Sequence, residues 1–139
     1  MTKREARAQA RTLRAALDMQ AVGRGMAAVL FPLPCWAAAG TVLAFAAMPD
    51  EPDTAAILRQ ALADGKHLLL PRVLSKTAMD WVEIPDLALL RPGAFGILEP
   101  PTDLPAAATV CAWDAAEGIM TAFWHTIKGQ SYCSAPKRC

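Results

Sequence analysis

Two short apolar runs bracket a helical pattern in the middle of this chain, and that arrangement limits the fold more than any other feature of the sequence. Residues 41–47 (TVLAFAA) and 67–73 (HLLLPRV) are almost continuously apolar, the pattern of strands buried on both faces. Between them, residues 48–54 (MPDEPDT) read as a turn rich in proline and acid, and Asp53 or Thr54 is placed to cap a following helix. In that helix Ile57, Leu58, Ala61 and Leu62 fall on one side, and Gly65 is a stop signal. Strand, helix and strand with short connections make a βαβ unit, whose strands are expected to be parallel with a right-handed crossover. Residues 79–84 (MDWVEI) alternate weakly and read as a further strand. Pro92, Gly93, Gly96, Pro100, Pro101 and Pro105 make residues 87–105 a loop-rich stretch.

The amino-terminal part is expected to be helical over residues 3–21, where Ala, Leu, Arg and Gln dominate and Gly and Pro are absent. Arg4, Arg7, Arg11 and Arg14 follow steps of three and four and share one side, while Ala6, Ala10, Leu13 and Leu17 share another. Such an arginine row is either a solvated face or a set of forked donors for phosphate oxygens, and the helix alone favours the first. A second helix is expected to begin after Gly23 or Gly25 and to stop before Pro32. Residues 26–49 contain no charged residue and are long enough to span a bilayer. Pro32, Pro34 and Gly40 interrupt the run, however, and a buried helix end, a turn and a buried strand explain it better.

Composition narrows the class. At 139 residues the chain is one domain by length, and 54% hydrophobic with 19% charged residues excludes a disordered composition. A net charge of +1 gives no global footprint for nucleic acid. Cys35, Cys111, Cys133 and Cys139 share no Cys-x-x-Cys spacing, and His67 and His125 stand in unrelated contexts, which argues against zinc. With no signal peptide in view, these cysteines read as reduced thiols of a cytoplasmic protein.

Ligands of open α/β sheets bind beyond the carboxyl ends of the strands, where residues 48–54 are expected to lie. Of Asp50, Glu51 and Asp53, the last reads as a cap. Glu51 sits on a stiff corner between the strand and Pro52, better placed to meet a ligand. Arg72 faces the same cleft or lies at the surface, and Glu99 in GILEP is a third polar contact or a plain loop carboxylate. No P-loop, GxGxxG or nucleophile elbow is present.

Taken in order, Lys3-x-x-x-Arg7, a buried strand running into MPDEPDT, then GKHLLLPRV, MDWVEI and FGILEP resemble the 5-formyltetrahydrofolate cyclo-ligase family over roughly residues 3–101. The resemblance implies a single α/β domain in three layers, with a mostly parallel sheet flanked by helices. It implies an enzyme that uses ATP and Mg2+ to convert 5-formyltetrahydrofolate into 5,10-methenyltetrahydrofolate, releasing ADP and phosphate. Its partners would be these small molecules, without nucleic acid or membrane, and it would be a monomer. Lys3 and Arg7 match the family's phosphate-binding pair, so Lys3, Arg4, Glu5, Ala6 and Arg7 would form the ATP-binding segment. Glu51 matches the acidic residue that binds the folate, and Ala46 falls at a substrate-contacting strand position. The resemblance assigns no catalytic group and no metal ligand here.

The family continues with a glycine-rich Arg-Leu-Gly-x-Gly-x-Gly-Tyr-Tyr-Asp-Arg segment, whose backbone N–H groups approach the nucleotide. Residues 102–139 contain no such segment and read as an atypical tail after a cyclo-ligase-like part over 1–101, with the carboxyl-terminal strands missing. Read one base earlier, however, the codons of residues 111–124 can spell Arg-Leu-Gly-Arg-Gly-Gly-Gly-Tyr-Tyr-Asp-Arg-Phe-Leu. The junctions Trp113–Asp114, Met120–Thr121 and Phe123–Trp124 force glycine, aspartate and leucine in that frame, as the motif requires. A frame lost near residues 102–109 would explain the tail. Family descent and turnover are therefore separate questions. A non-catalytic folate- or nucleotide-binding module is the alternative, and a membrane-associated protein using residues 26–48 is a third reading.

Overall fold

The computed structural model describes residues 1–93 and 96–107 of the chain. Residues 108–139 of the expected tail, with Cys111, Cys133, Cys139 and the stretch expected to hide the motif in another frame, lie outside the described residues, as does Phe95 of FGILEP.

The expected βαβ unit is present. Strand β1 (Thr41–Leu43) pairs in parallel with β2 (His67–Val73), with Val42 opposite Leu68 and Leu43 opposite Leu69. Helix α4 (Ala55–Ala63) connects them. Strand β3 (Met79–Glu83) returns antiparallel on β2, so the described sheet has the order β1-β2-β3 and is mixed. Strands β4 (Arg91–Pro92) and β5 (Leu98–Glu99) form a separate antiparallel pair.

The continuous apolar runs bury both faces of the strands. Val42, Leu68, Leu70 and Ile84 join Ile57, Leu58 and Ala61 of α4, together with Trp36, in the core. Leu43 and Leu69 point to the opposite face and are also buried. Helix α4 ends as Gly65 predicts. Gly65 has φ +71, its N–H donates to the Leu62 carbonyl, and the Lys66 N–H donates to the Ala61 carbonyl, which is a Schellman closure. Trp36 closes one edge of the core, its indole Nε1–H donating to Asp64 Oδ2 at 2.9 Å while Lys66 Nζ lies 5.3 Å from the ring centroid.

Three expectations about element bounds need correction. The helix expected over residues 3–21 is two helices, α1 (Lys3–Ala15) and α2 (Met19–Leu30). Asp18 makes the break, because its carboxylate accepts from the Gln20 and Ala21 N–H groups and starts α2 as its N-cap. Gly23 and Gly25 therefore lie inside the second helix rather than before it. Gly23 has a packing reason: a Cβ there would collide with the Asp53 backbone. The run 41–47 pairs as a strand only through Leu43, with one further bond from the Ala44 N–H to the Leu69 carbonyl. Past that point Thr54 takes over from the ladder, its hydroxyl donating to the Phe45 carbonyl at 2.7 Å and accepting from the Ala47 N–H at 3.1 Å.

The uncharged stretch 26–49 is divided among the end of α2, the short helix α3 (Pro34–Ala38), which carries Pro34 at its start, and β1. Among the described residues no helix is long and apolar enough to cross a membrane.

Candidate functional site

The chain leaves β1 through a corner that its own side chains brace. Glu51 Oε2 accepts from the Met48 N–H at 2.9 Å, and the Glu51 N–H donates to the Met48 carbonyl at 3.0 Å, closing a tight turn. Asp53 Oδ1 accepts from the Ala55 N–H, so the carboxylate caps α4, whereas Thr54 occupies the N-cap position but turns its hydroxyl back to the strand. The Asp53 N–H donates to the Met19 carbonyl, which ties the corner to α2 at the place where Gly23 permits close approach. The turn thus stands rigidly at the carboxyl end of the parallel strands, where such sheets bind ligands.

Helix α1 lies across this corner. Arg14 Nη2 is 3.6 Å from Asp50 Oδ2, with the two side chains 43% and 62% exposed, so solvent screens the pair and it contributes little to stability. Arg11, Arg14, Leu17, Met19, Pro49 and Asp50 line an open cleft of about 360 Å3. The sequence placed the arginines on one side of a helix, but not against this turn; the Arg14–Asp50 meeting depends on the break at Asp18.

The proposed ATP segment occupies the exposed first turns of α1. Thr2 and Glu5 form a capping box: Thr2 Oγ1 accepts from the Glu5 N–H, and the Thr2 N–H donates to Glu5 Oε2 at 2.6 Å. Those bonds hold the Glu5 carboxyl below its ordinary range, the backbone bond from Thr2 contributing most. The side chains of Lys3, Arg4 and Arg7 have no hydrogen bond or ion pair among the described residues and are free to meet an anion beside the helix N-terminus. Lys3 and Arg7 are not among the cleft-lining residues. Arg7 stands two turns, about 10 Å, from Arg14 along the helix. Ala46 is 7% exposed and packs in the core, so its side chain is taken up by packing.

Arg72 is neither surface nor open cleft. It is 8% exposed and clamps Asp80 with two bonds, Nε to Oδ1 at 3.1 Å and Nη2 to Oδ2 at 2.7 Å. Nη1 donates to the Pro101 and Leu104 carbonyls at 2.7 and 2.8 Å. The Asp80 hydrogen bonds hold the guanidinium above its ordinary value, against the opposing effect of burial. Arg72 therefore fixes the segment 101–104 beside the sheet. Asp80 was missed in the sequence; its signal was the hairpin register, which sets it opposite Arg72. Glu99 is 6% exposed, in β5 packed against β2.

Among the described residues no group of three or more His, Cys, Asp or Glu side chains is gathered to hold a metal ion. The magnesium implied with ATP has no ligand set within them.

Comparison with known proteins agrees with this arrangement. The sequence profile of the 5-formyltetrahydrofolate cyclo-ligase family matches residues 1–113. The NMR structure of Aquifex aeolicus 5,10-methenyltetrahydrofolate synthetase superposes with a TM-score of 0.66 at 24% identity, over 77% of this chain and 55% of that one. The chain thus spans about half the length of that structure, and at this identity the likeness speaks for the fold. No curated protein matches the chain. On the profile match across residues 1–113 of 139, the chain belongs to the 5-formyltetrahydrofolate cyclo-ligase family.

Proposed function

We propose that this chain serves the reaction of its family: the ATP-dependent closure of 5-formyltetrahydrofolate to 5,10-methenyltetrahydrofolate, with release of ADP and phosphate. The observation that carries the reading is the family match over residues 1–113. In this reaction the γ-phosphoryl group of ATP passes to the formyl oxygen and ADP departs. N10 then attacks the formyl carbon, the carbon–oxygen bond breaks, phosphate leaves and the ring closes. The demand on the protein is fixed positive charge around the phosphoryl group. Lys3 and Arg7, unpaired on the first turns of α1, would supply part of it, with Arg4, Glu5 and Ala6 completing the segment. Glu51 would accept a hydrogen bond from the folate through the oxygen that does not brace Met48, and Ala46, whose side chain is packed in the core, would border the substrate through its backbone. The reading carries with it a cytoplasmic, monomeric enzyme with small-molecule partners.

Lys3→Ala and Arg7→Ala are expected to weaken ATP binding about tenfold or more, the worth of a charge-assisted hydrogen bond, while folate affinity is kept. Glu51→Gln keeps an acceptor for Met48 and is expected to weaken folate binding without loss of fold. Isothermal titration of each ligand decides: unchanged ATP affinity in both cationic variants would remove the phosphate role, and unchanged folate affinity would remove that of Glu51.

The absence of the glycine-rich segment from residues 102–139 favours a second reading, a folate- or nucleotide-binding module without turnover. The two are linked to the origin of the tail, which we attribute to a lost reading frame. Sequencing the coding DNA from codon 95 onward tests this. Bases that spell the motif in the adjacent frame support the slip, and bases that do not make the tail a genuine alternative ending.

A further inference from the structure

Burying a carboxylate is costly unless hydrogen bonds or a close cation replace its water. Glu99 departs from that rule. It is 6% exposed, yet among the described residues its carboxylate has no hydrogen bond and no ion pair, while its backbone pairs with Arg91 in the β4–β5 ladder. Its side chain lies over Gly93, where a Cβ would collide with its carboxylate, so a glycine is what lets it lie there. Arg72 acts on Glu99 through space, but its Nε, both Nη1 donors and one Nη2 donor are committed to Asp80, Pro101 and Leu104. The same guanidinium is also acted on by Asp80 and Asp103, so Glu99 shares it with two other carboxylates.

Among the described residues no wholly sealed side-chain oxygen or nitrogen lacks a partner. The small surface that Glu99 keeps therefore includes its carboxylate oxygens. The place is also suggestive. Glu99 acts on Arg72, which lies at the carboxyl end of β2, and β1 runs parallel to β2 before entering the turn of Glu51. Glu51 has one oxygen committed to Met48, whereas Glu99 has both free to accept a parallel pair of N–H donors.

We infer that Glu99 is a second ligand-facing carboxylate of the site, an acceptor for a planar edge carrying two adjacent N–H groups, such as a pterin ring presents. The choice of ligand rests on the folate reading above. The test uses the full chain, with 5-formyltetrahydrofolate and the bare pterin as probes, in wild type and in Glu99→Gln, which sets an N–H2 group against the donors. The expected result is a ten- to hundredfold loss of affinity for both probes with ATP binding unchanged. The ligand-free variant should melt at or above the wild-type temperature, because an unpartnered buried charge has been removed. Unchanged probe affinity, or a lowered melting temperature with affinity kept, would make Glu99 a structural counter-charge of Arg72 and overturn the inference. If wild type binds pterin through Glu99 but not 5-formyltetrahydrofolate, the folate reading fails and the inference stands; if it binds neither, both fail.

Discussion

Arg72 shows how one residue's role can be hidden in a sequence and plain in a structure. Its charge and its place after Pro71 left open a cleft-facing or a surface position, but the β2–β3 register delivers Asp80 to it and the loop delivers two carbonyls. Arg72→Ala would leave Asp80 partly buried without its cation and two carbonyls without donors. The expected loss is about 3–5 kcal/mol, read from urea unfolding. Asp64 offers a pH test. Hydrogen bonds from Gln60 first and Trp36 second hold its carboxyl below the ordinary range. The unfolded chain therefore binds the proton more readily, and the contribution of Asp64 to stability is full above the ordinary aspartate range and is lost as pH falls through the lowered value. Unfolding followed by Trp fluorescence at descending pH should show a smaller acid-side loss in Asp64→Asn than in wild type, the share of Glu5 remaining in both. The turn over residues 48–54 and the cap at Asp53 were legible, because a strand end followed by Pro52 fixes the corner whatever packs around it.

At the scale of elements, sequence pattern worked where local chemistry decides and failed where packing does. The run 67–73 is β2 as read, and Gly65 ends α4 as read, since burial on both faces and a positive φ each leave a mark on residue type. The split between α1 and α2 was missed because alanine-rich composition continues across it and only the Asp18 carboxylate marks the break. Gly23 looked like a helix boundary and is instead the contact through which α2 reaches Asp53. Gly23→Ala should push α2 away from the corner at a cost of about 1–3 kcal/mol, the range for overpacking. The expected outcome is a lowered melting temperature together with weaker folate binding, as the turn bearing Glu51 loosens. Gly25, with open space around it, is the control: Gly25→Ala should be neutral or stabilising.

For the molecule as a whole, the α/β class and the family were legible because short pieces in a fixed order survive even where each alone is weak. The β1–β2 pairing came from the βαβ pattern, whereas the antiparallel return of β3 depended on a hairpin whose loop, residues 74–78, gave little sign of its direction. Among the described residues β1 has a strand partner on one side only, and the chain spans 55% of the related synthetase structure. Family membership and catalysis thus separate at this scale, and the assay of the intact chain joins or parts them. The direct measurement is to supply 5-formyltetrahydrofolate, ATP and magnesium at saturation and follow methenyltetrahydrofolate by absorbance alongside released phosphate. The account predicts both products in equal amounts, dependent on ATP. Saturation with both ligands and no methenyltetrahydrofolate would contradict it.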